Sequence, residues 1–184
     1  VNVSCPNTPG LVQWQTADRL AEIVGAARDT LASLAGHRPP LLVKIAPDLS
    51  DDDLAAVADV AMSVGVDGLI AANTTIARPA LLRSARAPEA GGLSGPALFE
   101  PATRVLSELY RLTGGALPII GCGGVASGAD AYAKIRAGAS LVQLYTALIY
   151  GGPGLVREIK QSLAATLRAD GFLSVADAVG ADHR

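Results

Sequence analysis

Five short apolar runs, at residues 1–4, 41–45, 68–72, 118–121 and 141–145, alternate along the chain with helical patterns. Each run is nearly continuous in apolar character and bounded by turn residues, which is how strands buried on both faces read. Alternation at this spacing implies right-handed βαβ crossovers and a parallel sheet. Two architectures remain, a doubly wound sheet and part of a (β/α)8 barrel.

The helical patterns carry their own punctuation. Leu20, Ile23, Val24, Ala27, Leu31 and Leu34 recur at intervals of mainly three and four, and Gly36 is placed to terminate them. Ser50 caps a second helix whose first turn holds Asp51, Asp52 and Asp53, where the helix dipole favours negative charge. Leu54, Val57, Val60, Ala61 and Val64 form its stripe, and Gly65 ends it. Pro101 marks the first position of a third helix. Ser127 to Asp130 resembles a capping box opening a short helix that runs to Gly138. Leu155, Ile159, Leu163 and Leu167 recur every four residues on a fifth.

A complete barrel takes about 250 residues, whereas this chain has 184 and opens inside a strand. The expectation is an α/β chain holding about the last five βα units of a (β/α)8 TIM barrel. Residues 1–184 would be the C-terminal portion of the barrel domain, with the N-terminal barrel strands absent. Five of eight strands leave open edges, so the isolated chain is expected to be poorly stable and inactive.

Composition excludes several other classes. Half the residues are hydrophobic and the net charge is −2, which is incompatible with a disordered chain. No apolar stretch is long enough for a transmembrane helix. Fifteen basic against seventeen acidic residues, without basic clusters, leave no footprint for nucleic acid. Two cysteines make no disulfide framework, which points to a reducing compartment. Signal-peptide features are not expected either.

Ligands in parallel α/β folds bind at the carboxyl ends of strands. Polar and glycine-rich residues follow every run here: Asn2 to Asn7, Lys44, Asn73 to Thr75, Gly121 to Gly124, and Tyr145-Thr146. Barrels often hold phosphate in the loops after the last two strands. Here those are the Gly123-Gly124 and Tyr145-Thr146 loops. The competing reading of the glycines is a tight turn and nothing more. Lys44 interrupts an apolar run and requires a partner, either a bound anion or a structural carboxylate. Cys5 lies in a turn-rich loop among amides, although a free cysteine is more often inert. Asn2, Asn7 and Asn73 offer donors and acceptors suited to a flat heterocycle with imide edges. Cys122 reads as a small packing group, and the two cysteines are at most half a metal site, so no metal is expected. His37 and His183 read as solvated, Trp14 and Met62 as packing residues, and the connection at 76–99 is long enough to be functional.

Six collinear motifs resemble one family. Asn-Val-Ser-Cys-Pro-Asn-Thr-Pro-Gly-Leu (2–11), Lys-Ile-Ala-Pro-Asp-Leu (44–49) and Asn-Thr-Thr (73–75) come first. Gly-Gly-Leu-Ser-Gly (91–95), Pro-Ile-Ile-Gly-Cys-Gly-Gly (118–124) and Ile-Arg-Ala-Gly-Ala-Ser-Leu-Val-Gln-Leu-Tyr-Thr-Ala-Leu (135–148) follow. Together they resemble dihydroorotate dehydrogenase, most closely the class 2, quinone-dependent form, over roughly its second half. The resemblance implies an FMN-bearing barrel that oxidises dihydroorotate to orotate in pyrimidine synthesis, with a base taking the C5 proton while hydride leaves C6 for the flavin. By matching position it implies Cys5 as the base. Asn2, Asn7, Asn73 and Thr74 fall on substrate contacts, with Asn2 also near the flavin. Lys44, Ala72, Ser94, Gly95, Gly123, Gly124, Tyr145 and Thr146 fall on flavin contacts, the last four at its phosphate. It further implies a quinone acceptor and a parent enzyme peripheral to the cytoplasmic side of the bacterial inner membrane, with no anchor in these residues.

Three positions depart from the class 2 pattern. Cys5 stands where that class carries Ser and class 1 carries Cys. Ala72 replaces a Thr, which leaves only a backbone contact, and Cys122 replaces a Val. Two alternatives stay open: a class 1 type dihydroorotate or dihydropyrimidine dehydrogenase using fumarate or NAD, and a phosphate-binding half-barrel without catalysis. The second gives Cys5, Asn2, Asn7 and Lys44 no role.

Overall fold

The computed structural model describes residues 1–8, 10–34, 36–80 and 82–184, and of Val12 the backbone only. Pro9 of the 2–11 motif, Ala35 and Leu81 of the 76–99 stretch lie outside the described residues. Four strands, β1 (Leu42–Ile45), β2 (Gly68–Ala71), β3 (Ile119–Cys122) and β4 (Leu141–Gln143), form one parallel sheet in the order β1-β2-β3-β4. Strands that neighbour in space in the order they occur in the chain have no switch point, so right-handed crossovers place every helix on the same face. A doubly wound sheet requires a reversal of strand order, and none is present among the described strands.

The expected fifth strand is reduced to a bridge. Residue Asn2 pairs in parallel with Lys44. The Lys44 N–H donates to the Val1 carbonyl at 2.9 Å, and the Val1 amino group donates to the Leu42 carbonyl at 2.7 Å. The next donor along the ladder, the Ala46 N–H, goes to the Gln15 side-chain oxygen at 2.7 Å instead of to the first strand.

Helices α1 (Ala17–Ala32), α2 (Asp51–Val64), α3 (Phe99–Leu112), α4 (Gly128–Arg136) and α6 (Gly154–Ala169) are the five expected ones. Two short helices, α5 (Thr146–Gly151) and α7 (Val175–Ala178), and three 3-10 turns add to them. The Ser50 cap is as anticipated: its hydroxyl accepts from the Asp53 N–H at 3.2 Å while Asp53 reaches back to the Ser50 N–H. Around Ser127 the box is only half made, because the Asp130 carboxylate takes the Ala126 N–H at 3.0 Å rather than that of Ser127. Pro101 is the third residue of α3, not its first, since the 3-10 turn Pro96–Leu98 leads directly into Phe99. α1 stops before Leu34, which is 57% exposed, and α4 stops before Gly138.

The apolar runs are not buried on both faces. Val43, Leu69 and Ile119 occupy one register row and join Leu54, Val57, Val105 and Leu106 of α2 and α3 in the main buried cluster. The next row, Lys44, Ile70, Ile120 and Leu141, faces the other way; its first three members are half-buried and Leu141 is exposed. No helix among the described residues covers that face, so apolarity there meets no cover.

Past α6 the chain folds back onto α3 and α4. Asp182 pairs with Arg136, Gly180 donates to the Ile135 carbonyl, and the His183 ring lies 5.0 Å from that of Tyr110. His183 also meets the Ala137 carbonyl and the Ser107 hydroxyl at 3.2 Å, so it is anchored rather than merely solvated. Met62 is 46% exposed and packs little.

Candidate active site

The carboxyl ends of β1 to β4 open onto a cavity of about 610 Å3. Lys44 enters it from β1, Ala72, Asn73 and Thr74 from the end of β2, and Gly123 and Gly124 from the end of β3. Tyr145 and Thr146 line it after β4, and Ser94 and Gly95 close it from the long connection. Thr146 and Ser94 touch directly, hydroxyl to hydroxyl at 3.0 Å. Ten of the thirteen residues singled out from sequence therefore meet in one space.

The other three, Asn2, Cys5 and Asn7, stand on a rim beside it. The Asn73 amide donates to the Asn2 side-chain oxygen at 3.2 Å and to the Ser4 hydroxyl at 3.0 Å, and Ser4 donates to Asn2 at 3.0 Å. The Asn7 side-chain oxygen accepts from the Gly92 N–H at 3.1 Å. Gly92 must be glycine here, since a Cβ would run into the Thr74 hydroxyl. Cys5, between Asn2 and Asn7 in the chain, is partly exposed. The Asn7 N–H and then the Thr8 hydroxyl hold its thiol below its ordinary pKa, because both stabilise the thiolate.

The Gly123-Gly124 turn is shaped by close approach. Both residues have positive φ, 111° and 74°, and a Cβ on Gly124 would lie 2.5 Å from the Phe99 backbone. Among the described residues no acceptor takes the N–H of Gly123 or Gly124. Unpartnered N–H groups at a cavity wall suit an anion.

Arg78 organises the long connection. Its guanidinium donates to the carbonyls of Ala87, Glu89 and Gly91 at 3.0, 2.8 and 2.6 Å, which holds the Gly91–Gly95 segment over the cavity. Asp48 ties the start of the same connection through the Thr75 hydroxyl and the Ile76 N–H.

Several assignments change with the geometry. Lys44 is half-exposed to the cavity instead of sunk in a dry interior. Cys122 is a cavity-lining residue, not a packing one, because β3 turns its side chain to the uncovered face. Sequence reading missed Ser4, although it shares a strand face with Asn2 by simple alternation. It also missed Tyr150 of the lining, for which no pattern in the sequence is a signal.

Residues 1–167 match the family model described as dihydroorotate dehydrogenase. The chain belongs to the dihydroorotate dehydrogenase family. It is similar to the dihydroorotate dehydrogenase (quinone) of Rhodospirillum rubrum, with 60% identity over 185 residues covering 100% of this chain and 50% of that protein. The mitochondrial dihydroorotate dehydrogenase (quinone) of Oryza sativa subsp. japonica is 56% identical over 188 residues, covering 100% of this chain and 40% of that protein. The crystal structure of the Eimeria tenella family member in complex with ferulenol superposes with a TM-score of 0.96 at 45% identity, over 100% of this chain and 53% of that one. The chain spans about half the length of the curated relatives it matches. Within the family's (β/α)8 barrel, the consecutive parallel strands of this chain form an open arc.

Proposed function

We propose that this chain is the C-terminal half of an FMN-dependent dihydroorotate dehydrogenase, one that oxidises (S)-dihydroorotate to orotate in pyrimidine synthesis and passes the electrons to a quinone. The N-terminal strands of the barrel would belong to the rest of the protein. What carries the reading is the convergence of ten residues on one cavity with an amide-rich rim and a free thiol beside it. A scaffold that only bound phosphate would not need that rim.

The cavity suits a flavin mononucleotide. Its volume lies in the range of about 300–1,000 Å3 typical of ligand sites. The unpartnered N–H groups of Gly123 and Gly124, with Tyr145 and Thr146 opposite, would hold the phosphate. Lys44 would stand at the pyrimidine end of the ring, where a positive charge stabilises the reduced form. The bound flavin supplies the hydride acceptor.

The chain's own residues would do the rest. Asn2, Asn7, Asn73 and Thr74 orient the imide and carboxylate edges of the substrate through paired donors and acceptors. Cys5 would remove the C5 proton, and the Asn7 N–H and Thr8 hydroxyl that stabilise its thiolate make it easier to deprotonate than an ordinary thiol. The parent enzyme would lie against a membrane to meet its quinone. Among the described residues, no helix is long and apolar enough to cross one.

Cys5 is the single feature favouring a fumarate or NAD acceptor, whereas the similar proteins are named for quinone. The test is flavin content and dihydroorotate-driven bleaching in the full-length protein, followed by re-oxidation with quinone, fumarate or NAD. Bleaching and quinone re-oxidation are expected. A full-length protein that binds no flavin sinks the reading.

A further inference from the structure

Lys134 is fully buried, yet it lies in neither the cavity lining nor any ion pair among the described residues. Its side chain runs between α4 and β3 in space left by Gly121, where a Cβ would sit 3.3 Å from the Lys134 Cβ. Its ammonium ends 3.4 Å from the Phe99 carbonyl and 5.0 Å from the centre of the Phe99 ring. Phe99 is the residue against which Gly124 packs. The charge thus stands one layer behind the Gly123-Gly124 wall of the cavity.

A buried ammonium without a carboxylate is costly unless something compensates it. The groups acting on it are Cys122 from β3, Asp130 from its own helix and Glu100 from α3. Asp130 already takes the Ala126 N–H, and Glu100 is exposed. Among the side chains of the C-terminal segment around α4, Asp182 is engaged with Arg136 and Asp170 with Tyr132. Burial pushes the Lys134 pKa down to about 8, so the ammonium persists at neutral pH but only just.

We propose that Lys134 is a positioning residue, the buried counter-charge of the anion held at Gly123-Gly124, acting through the wall rather than by contact. This rests on the reading of that turn as the phosphate site of a flavin mononucleotide. The glycine N–H groups supply direction, and Lys134 supplies the net charge that backbone dipoles lack. Bound phosphate in turn favours the ammonium, so the two stabilise each other.

The test compares FMN with riboflavin, which lacks the phosphate, by flavin-fluorescence titration of the full-length apoprotein. The ratio of the two affinities isolates the phosphate, and ionisation of the flavin ring cancels in it. For Lys134→Met the ratio is expected to fall about tenfold, as a charge at this range in a partly polarisable interior implies. In the unsubstituted protein the ratio should be constant from pH 7 to 8 and fall as pH rises towards 10, while the variant stays flat. The apoprotein melting temperature at pH 7 should hold or rise in Lys134→Met, because an unpaired buried charge has been removed. Equal losses for both flavins together with a lower melting temperature show a purely structural lysine and overturn the proposal. A ratio independent of pH in the unsubstituted protein overturns it without any variant. Failure of both flavins to bind that protein removes the flavin reading itself, and this inference with it.

Discussion

The two faces of the sheet are built from similar residues and have different fates. Val43, Leu69 and Ile119 are 1%, 0% and 0% exposed beneath α2 and α3. One position away, Ile70 and Ile120 are half-buried and Leu141 is 63% exposed. An apolar strand residue only favours cover; whether it receives any depends on what lies opposite. Here the covered face supplies stability, while the uncovered face and the loops at its end hold the cavity. Stability and chemistry should therefore separate when each side is changed in turn.

The largest effect is expected at the loop end. Cys5→Ala in the full-length protein should lower the rate of dihydroorotate oxidation by about 10²–10⁴-fold, the range for losing a general base. The melting temperature should barely move, since the thiol is accessible. Cys5→Ser should retain a rate that sets in at higher pH. The base acts when deprotonated, and the Asn7 and Thr8 bonds bring the thiolate in at lower pH than for an ordinary thiol. Superimposable pH–rate profiles for the two proteins would remove Cys5 from the role.

The covered face should answer in the opposite sense. Leu69→Ala is expected to destabilise by about 2–5 kcal/mol, as fully buried leucines do. Ile120→Ala should cost less than half as much in the isolated chain and clearly more in the full-length protein, where the rest of the barrel would close over it. Urea unfolding of the two variants, each in the isolated chain and in the full-length protein, measures both differences. Equal costs in the two contexts would mean that nothing covers the open face, and the half-barrel reading would fail with it.

Two lysines show which parts of this division were legible. Lys44 stands out in the sequence because it breaks an apolar run at a strand's carboxyl end, and it does face the cavity. Lys134 sits between Ala133 and Ile135 in the last turn of a helix, where a basic residue is ordinary. Its burial follows from Gly121 and Ala139, which the sequence does not show to be its neighbours. The same limit explains the rest. Strand positions, the Ser50 cap and the glycines after β3 are set by residues close in the chain and are legible in spacing. The reduced first strand, the uncovered face, and the rim joining Asn2, Ser4 and Asn73 depend on partners 41 to 71 residues away.

Lys134 also makes a pH prediction for the apoprotein. Its folded pKa, about 8, lies below the unfolded value near 10.4. Between these values the unfolded chain binds the extra proton, so stability should rise with pH across this window, by up to about 3 kcal/mol. Below pH 8 that contribution is lost. Lys134→Met should flatten the slope in urea titrations from pH 7 to 10, and an unchanged slope would show that the ammonium is solvated after all.

The smallest contrast lies between two capping boxes with the same local design. Ser50 caps the fourteen-residue α2 against the main buried cluster; Ser174 caps the four-residue α7, where the Ser174 N–H reaches Asp177 at 2.8 Å. The bond between the Ser50 N–H and Asp53 is the longer of the two, at 3.4 Å. If hydrogen-bond length decided the outcome, Ser174→Ala would be the costlier change. We expect the reverse. Ser50→Ala should lower global stability by about 1 kcal/mol, because α2 unfolds only with the core. Ser174→Ala should stay within about 0.5 kcal/mol globally and instead speed amide exchange in Val175–Ala178 alone, since a short terminal helix opens as its own unit. Hydrogen exchange resolved by residue separates the two outcomes. Equal global losses would mean that the C-terminal clamp on α3 and α4 unfolds together with the helix-covered face rather than ahead of it.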